Sequence, residues 1–271
     1  MVFKNIRSLL SRIYRYLRQS LGLGSTQKIW DGIYSSKDEI ILKKNDWNWF
    51  SNWQYNEICK IIEKHNANPD DFFGGRSLRE RSLFPLIISL VGQNKSTIKI
   101  LDIGGGVGID YLTILNYCKI SAKIQYFIVD IPEVGKKVET IFKNFPDITY
   151  LNWESYSENC ANLDVILFNS SVQYFDDYKE KILDITKLDA EYIVFIRLAA
   201  GHFNSYLTKQ VNIPGVETPY WFINIEELRT LLSNSGYKLL YQSRGDIEYY
   251  QGNFSESYRM GRTWNFVFAK I

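Results

Sequence analysis

The sequence predicts an α/β fold: a three-layer αβα sandwich on a mostly parallel, seven-stranded sheet with an antiparallel edge hairpin, preceded by a helical cap. Three observations predict it. From about residue 97, short and nearly continuous apolar runs alternate with helical stretches, as strands buried on both faces of a parallel sheet should. The last two runs follow each other without a helix between them, so they can pair antiparallel. Before residue 97 the apolar residues fall instead at helical spacing.

In chain order, residues 1–21 come first. Phe3, Ile6, Leu10, Ile13, Leu17 and Leu21 share one helical face, and Lys4, Arg7, Arg12, Arg15 and Arg18 accompany them with no acid. A basic amphipathic helix of this kind suits an anionic membrane surface; docking on the domain, or on a second copy in a homodimer, needs the same stripe. Residues 22–96 read as a helical cap or lid, from Ile58, Ile61, Ile62 and then Leu83, Leu86, Ile87, Leu90.

The domain proper spans 97–271. Its strands are expected at Ile98–Ile103, Ile124–Val129, Ile148–Leu151, Val165–Phe168 and Tyr192–Ile196, with crossover helices at Tyr111–Tyr117, Val134–Phe142 and Tyr178–Thr186. A further helix fits Ile225–Ser235: Asn224 is its N-cap, Glu226 and Glu227 favour its first turn, and Gly236 closes it. Tyr237–Gln242 and Thr263–Ala269 form the edge hairpin, and 198–223 and 243–261 read as insertions on the substrate side.

Composition narrows the function. A chain of 271 residues that is 45% hydrophobic and 15% aromatic packs as one large domain, which excludes wholesale disorder. A net charge of +2, without a basic stripe beyond the first helix, argues against a nucleic-acid partner. Cys59, Cys118 and Cys160 form no Cys-x-x-Cys pair, and His65 and His202 are far apart, so neither a disulfide scaffold nor a metal centre is expected. No run reaches the roughly 18 apolar residues of a membrane span, and arginines interrupt any secretory leader. The expected setting is cytoplasmic, with peripheral membrane contact through residues 1–21.

The chemistry gathers at Ile100-Leu-Asp-Ile-Gly-Gly-Gly-Val-Gly-Ile-Asp110, a D-x-G-x-G-x-G pattern between a strand and a helix. Its glycines let the backbone turn sharply and come close to a ligand. A nicotinamide-type G-x-G-x-x-G starting at Gly104 needs glycine where Ile109 stands, and a phosphate-cradling P-loop needs an absent Lys-Ser/Thr pair.

This pattern resembles the first motif of the class I S-adenosylmethionine-dependent methyltransferases, which have a Rossmann-like fold. The resemblance implies S-adenosyl-L-methionine as cofactor, held at Asp102, Gly104, Gly105, Gly106 and Gly108. It implies ribose recognition by Asp130 at the end of the second strand, 22 residues after Gly108, with Ile131 beside it. It also places adenine near Trp153, and the methionine moiety and methyl group near Asn169 and Ser170, in the loop that runs to Asp177. Over most of the chain, Trp30-Asp-Gly-Ile-Tyr34, Arg197, Thr208-Lys-Gln-Val211 and Tyr220-Trp-Phe222 look like a group of bacterial methyltransferases that accompany surface-polysaccharide genes.

Methyl transfer to a hydroxyl of a small molecule or glycan unit calls for alignment and for a base. His202, just past the fifth strand, is the candidate base, because ligands bind at the carboxyl edge of such sheets. Arg197, Tyr174, Gln210, Tyr220 and Trp221 are candidate substrate contacts, and Arg81 is a candidate from the cap. Arg76, Arg79 and Glu80 are further lid candidates, and Tyr249, Tyr250 and Tyr258 are lid or interface candidates. A non-catalytic module that keeps the cofactor pocket satisfies the same motifs; turnover with candidate nucleotide sugars separates the two.

Overall fold

The structure is a computed structural model that describes residues 28–43, 51, 52, 54–56, 58–60, 63 and 82–271, apart from 155, 214 and 215. The basic helix expected over 1–21, and His65, Arg76, Arg79, Glu80 and Arg81, lie outside the described residues.

The main sheet forms from the apolar runs. Its strands are β2 (Thr97–Ile103), β3 (Lys123–Val129), β4 (Ile148–Leu151), β5 (Val165–Asn169), β6 (Tyr192–Leu198), β10 (Tyr237–Glu248) and β11 (Arg262–Lys270), in the order β4-β3-β2-β5-β6-β11-β10. The first five run parallel, and β11 is antiparallel to both β6 and β10. Helices α1 (Leu83–Val91), α2 (Ile109–Tyr117) and α3 (Pro132–Ile141) cover one face, burying Phe84, Ile88, Ile114 and Val138 against Ile100, Ile128 and Val194. The other face carries α4 (Tyr156–Asn159), α5 (Tyr178–Thr186) and α6 (Ile225–Asn234), where Ile182, Leu228 and Leu232 meet Phe168, Phe195 and Phe266. This is the expected three-layer sandwich with its edge hairpin.

The helix ends follow local chemistry. Asn224 Oδ1 accepts from the Glu227 amide at 2.9 Å, capping α6, and Gly236 at φ +84° ends it. Asp177 caps α5 by accepting from the Lys179 and Glu180 amides. Pro132 begins α3, where its missing N–H costs no helical bond.

The structure departs from the sequence reading in two places. Trp30–Tyr34, inside the stretch read as a helical cap, is strand β1. It pairs antiparallel with β8 (Tyr206–Gln210), which pairs with β9 (Thr218–Asn224), and β7 (Ala200–Gly201) completes a second sheet in the order β1-β8-β9-β7. The 198–223 insertion is thus largely a sheet. Strand β10 also runs on to Glu248, and the connection after it packs Tyr249, Phe254, Tyr258 and Met260 against Trp30, Tyr206 and Phe222 of the small sheet.

The chain runs β2-β3-β4 outward, then returns to β5 and β6 on the other side of β2. That reversal opens a crevice at the carboxyl ends of β2 and β5, where ligands bind in open α/β sheets. Among the described residues, no helix is long and apolar enough to cross a membrane.

Candidate functional site

A cleft of about 910 Å³ lies at that reversal. The loops after five parallel strands feed it: Gly104 after β2, Asp130 and Ile131 after β3, Trp153 after β4, Asn169, Ser170 and Ser171 after β5, and Arg197 at the end of β6. The small sheet and its turn supply Gln210, Asn212 and Thr218.

The glycine loop is shaped by what surrounds it. Gly104, Gly106 and Gly108 have φ of +67°, +57° and +80°, where side-chain-bearing residues are disfavoured. A Cβ on Gly104 would stand 2.6 Å from Cβ of Ser171, and one on Gly105 would collide with the Asp102 carboxylate. The Gly104 amide donates to the Val129 carbonyl at 2.7 Å, pinning the turn to β3. Asp102 does not line the cleft. It is fully buried beneath the loop, where its Oδ2 accepts from the Tyr126 hydroxyl at 2.6 Å. Gly108 caps α2 rather than facing the cleft, and a Cβ there would meet the Phe142 ring.

Asp130 is held by the backbone. Its Oδ2 accepts from the Gly106 amide at 2.8 Å and its Oδ1 from the Ile131 amide at 2.7 Å. Burial nonetheless prevails over these two bonds and pushes the carboxyl up to about 6. Beside it, Trp153 stands edge-on to Phe175 at 5.4 Å, and the Lys181 ammonium lies 4.9 Å from the indole centre.

On the other side, Asn169 bridges two charges: its Nδ2 donates to Asp110 at 2.6 Å, and its Oδ1 accepts from Arg197 Nε at 2.8 Å. Ser170 and Arg197 both adopt left-handed backbone, at φ 58° and 54°. Arg197 lies in a one-residue bulge, since Trp264 pairs with Leu198 while Phe266 pairs with Phe195. Asn265 Oδ1 accepts the Arg197 amide at 3.0 Å, and Gln173 Nε2 donates to the Arg197 carbonyl at 3.2 Å. Strained non-glycine backbone braced by dedicated side chains is a mark of functional sites.

Tyr174 donates to Gln210 Oε1 at 2.8 Å, and Gln210 Nε2 donates to Asn212 at 2.9 Å. Burial pushes the Tyr174 and Tyr220 phenols well up, so both stay protonated at neutral pH. Tyr220 is buried between Trp30 and Tyr174, and Trp221 donates from Nε1 to the Phe175 carbonyl at 3.1 Å; neither lines the cleft. His202 also stands outside it. Its ring is exposed and edge-on to Trp264 at 6.0 Å. The structure therefore does not bring the expected base to the cleft, and Arg81 lies outside the described residues.

No protein-family model matches the chain, and no curated protein matches it in sequence. Solved structures do match. The N-terminal domain of EvdMO1, crystallised in the presence of SAH and D-fucose, superposes with a TM-score of 0.51 at 10% identity, over 73% of this chain and 84% of that one. The Burkholderia thailandensis 1,6-didemethyltoxoflavin-N1-methyltransferase, with bound 1,6-didemethyltoxoflavin and S-adenosylhomocysteine, superposes at 0.51 and 12% identity, over 89% of this chain and 99% of that one. The chain has the class I methyltransferase fold.

Several lining residues escaped the sequence reading. Gln54 comes from the helical residues between 51 and 63, and Asn212 and Thr218 from the small sheet's turn. Ser171 lies in the loop after β5 that the sequence reading placed at the site, though it was not singled out there beside Asn169 and Ser170. Phe175 lies in the same loop, and Lys181 in α5 after it. Only tertiary packing puts these side chains beside the glycine loop.

Proposed function

We propose that the protein is an S-adenosylmethionine-dependent methyltransferase that methylates an oxygen of a small molecule or of a sugar unit of a surface glycan. The observation that carries this reading is the convergence of Gly104, Asp130 and Asn169 on one cleft at the sheet's switch point.

The residues present fit the donor. Gly104 and Gly106 offer backbone free of Cβ atoms in a conformation suited to close approach. Each Asp130 oxygen already accepts one backbone amide, and its remaining lone pairs would take the two ribose hydroxyls. Ile131 and Trp153 would flank the adenine. When bound, the donor supplies a methyl carbon activated by a sulfonium.

The protein's task is then alignment. Asn169, fixed between Asp110 and Arg197 on the lining of the cleft, would stand beside the reacting groups. Gln210, Asn212 and Thr218 present amides and a hydroxyl that would orient a hydroxylated acceptor, and Arg197 would receive an anionic group on it. Tyr174 orients through its hydroxyl rather than taking a proton, because burial keeps it protonated. The glycan setting is supported by the resemblance of the Trp30–Tyr34 and Tyr220–Phe222 segments to methyltransferases that accompany surface-polysaccharide genes.

Calorimetry with S-adenosylhomocysteine, followed by methyl-donor turnover on candidate nucleotide sugars, tests the reading. Asp130→Ala is expected to weaken donor binding by about 1.5–3 kcal/mol. Binding without turnover on any acceptor would favour a non-catalytic module, and absence of binding would remove the donor assignment altogether.

A further inference from the structure

A second cavity, of about 490 Å³, adjoins the cleft between the start of α1 and the extension of β10, and Arg197 lines both. The two share one edge of the sheet, where β6 ends, β11 starts and β10 finishes. Tyr241 pairs with Val267 and Ser243 with Asn265, which puts both on the face that α1 covers. Leu83, Leu86 and Ile247 add an apolar wall. Asn265 couples this cavity to the cleft: its Oδ1 accepts from the Arg197 amide, and its Nδ2 donates to Ser243 Oγ at 3.2 Å. Arg244 also lines the cavity, but its guanidinium is stacked on Trp264 and donates to the Met260 and Arg262 carbonyls. Arg197 is therefore the cation at the junction. The volume is that of a site for a small organic ligand. An aromatic ring, an apolar wall, and hydroxyl and amide groups on one side of a guanidinium match a nucleoside carried on a phosphate. Asp246 on the same lining suits the hydroxyls of a ribose and leaves the phosphate to Arg197.

We propose that this second cavity holds the nucleotide half of the acceptor: the sugar to be methylated lies in the cleft, its diphosphate on Arg197, and the nucleoside between α1 and β10. The inference rests on the donor reading given above and narrows the acceptor to a nucleoside diphosphate sugar. Donor, sugar and nucleoside then follow one another along the sheet edge, from the β4 side to the β10 side. The left-handed backbone of Arg197 and its braces from Asn265 and Gln173 fix the cation at the point where the two halves join.

Calorimetry on the full chain, first saturated with S-adenosylhomocysteine, tests this with UDP, GDP, ADP and dTDP. At least one should bind, and its free nucleoside and inorganic pyrophosphate should each bind about tenfold more weakly or worse, having lost half of the site. Tyr241→Ala removes the stacking face and should weaken that diphosphate by about 5–50-fold. Leu86→Trp, at a position 57% exposed, should fill the cavity and abolish its binding. Arg197→Gln should weaken it by about 10–100-fold, the loss of hydrogen bonds between charged groups. Tyr241→Ala and Leu86→Trp should bind S-adenosylhomocysteine within about twofold of wild type, as distant sites do, which also shows that they are folded. A diphosphate that competes with S-adenosylhomocysteine overturns the proposal, as does unchanged diphosphate binding in either of these two variants. Decyl phosphate binding more tightly than all four diphosphates would put a lipid-linked acceptor in the cavity and overturn the nucleoside assignment. If S-adenosylhomocysteine binds and no diphosphate does, the donor reading stands and this inference falls. If S-adenosylhomocysteine does not bind, the donor reading falls and takes this inference with it.

Discussion

Asp130 combines two demands that pull in opposite directions. The proposed donor site calls for a carboxylate acceptor, yet burial lifts its carboxyl to about 6, above the ordinary carboxylate range. A carboxyl raised in the folded state contributes stability in full below its unfolded value, and that contribution is lost as pH rises through about 6. The ionised form therefore costs the fold something at neutral pH and serves binding. S-adenosylhomocysteine affinity should fall about tenfold between pH 7 and pH 5, as the carboxyl takes up a proton and loses acceptor capacity. Asp130→Asn should bind weakly and show a flat profile over the same range; a sloping profile in that variant would move the titration to another group. The glycines offer a second test. Gly104→Ala and Gly236→Ala both place a side chain at positive φ, but only Gly104 has a neighbour, Ser171, in the way, and nothing lies within 4 Å of the Gly236 position. Gly236→Ala should cost about 1 kcal/mol of backbone strain, and Gly104→Ala measurably more, read from urea midpoints. Glycine spacing was legible because backbone conformation leaves a mark in local sequence. The place of His202 was not legible, because distance along the chain from a strand end does not say whether a loop residue will face the cleft, and His202 is not among the cleft's lining residues. His202 turned toward Trp264.

The strands and helices of the main sheet were legible nearly to the residue, since each is a local apolar period punctuated by caps. Tyr178–Thr186 and Ile148–Leu151 have the expected bounds. The small sheet was not legible, because β1 gains strand character only from a partner far along the chain: Trp30 pairs with Gln210. Five residues with a glycine in the middle carry too little periodicity to announce a strand. The late extension of β10 is similar, with Arg244 stacked 3.9 Å from the Trp264 ring centre on the paired strand. Trp30 is the anchor of the small sheet: 1% exposed, with ring contacts to Tyr220, Phe222 and Tyr249. Trp30→Ala should destabilise by about 3–5 kcal/mol. Trp30→Phe should cost less, because it also removes an indole N–H that is buried without a partner. Since β1 pairs with β8 of the small sheet and not with the glycine loop, 5′-methylthioadenosine affinity should survive in Trp30→Phe; calorimetry beside a thermal melt separates these effects.

At the scale of the whole molecule, strand order places the cleft, and the cleft joins parts that are remote in sequence. Gln54 of the cap, the loops after β2 to β6 and the turn of the small sheet all meet there. A ligand that contacts them together binds the folded state alone, so its binding energy becomes folding energy. At about 100 times its dissociation constant, S-adenosylhomocysteine should add about 2.7 kcal/mol to stability. For a chain of this size that is roughly 5–10 °C in melting temperature. NAD at the same concentration should leave the melt unchanged, because the loop has Ile109 where a nicotinamide fingerprint has its last glycine. A shift with NAD and none with S-adenosylhomocysteine would reassign the cleft to a dinucleotide. The size of the shift also reports how much of the molecule the ligand joins. Gln54→Ala should show a smaller gain at the same ligand concentration, because Gln54 lines the cleft, while its melt without ligand stays close to wild type, because its buried Oε1 has no hydrogen-bond partner to lose.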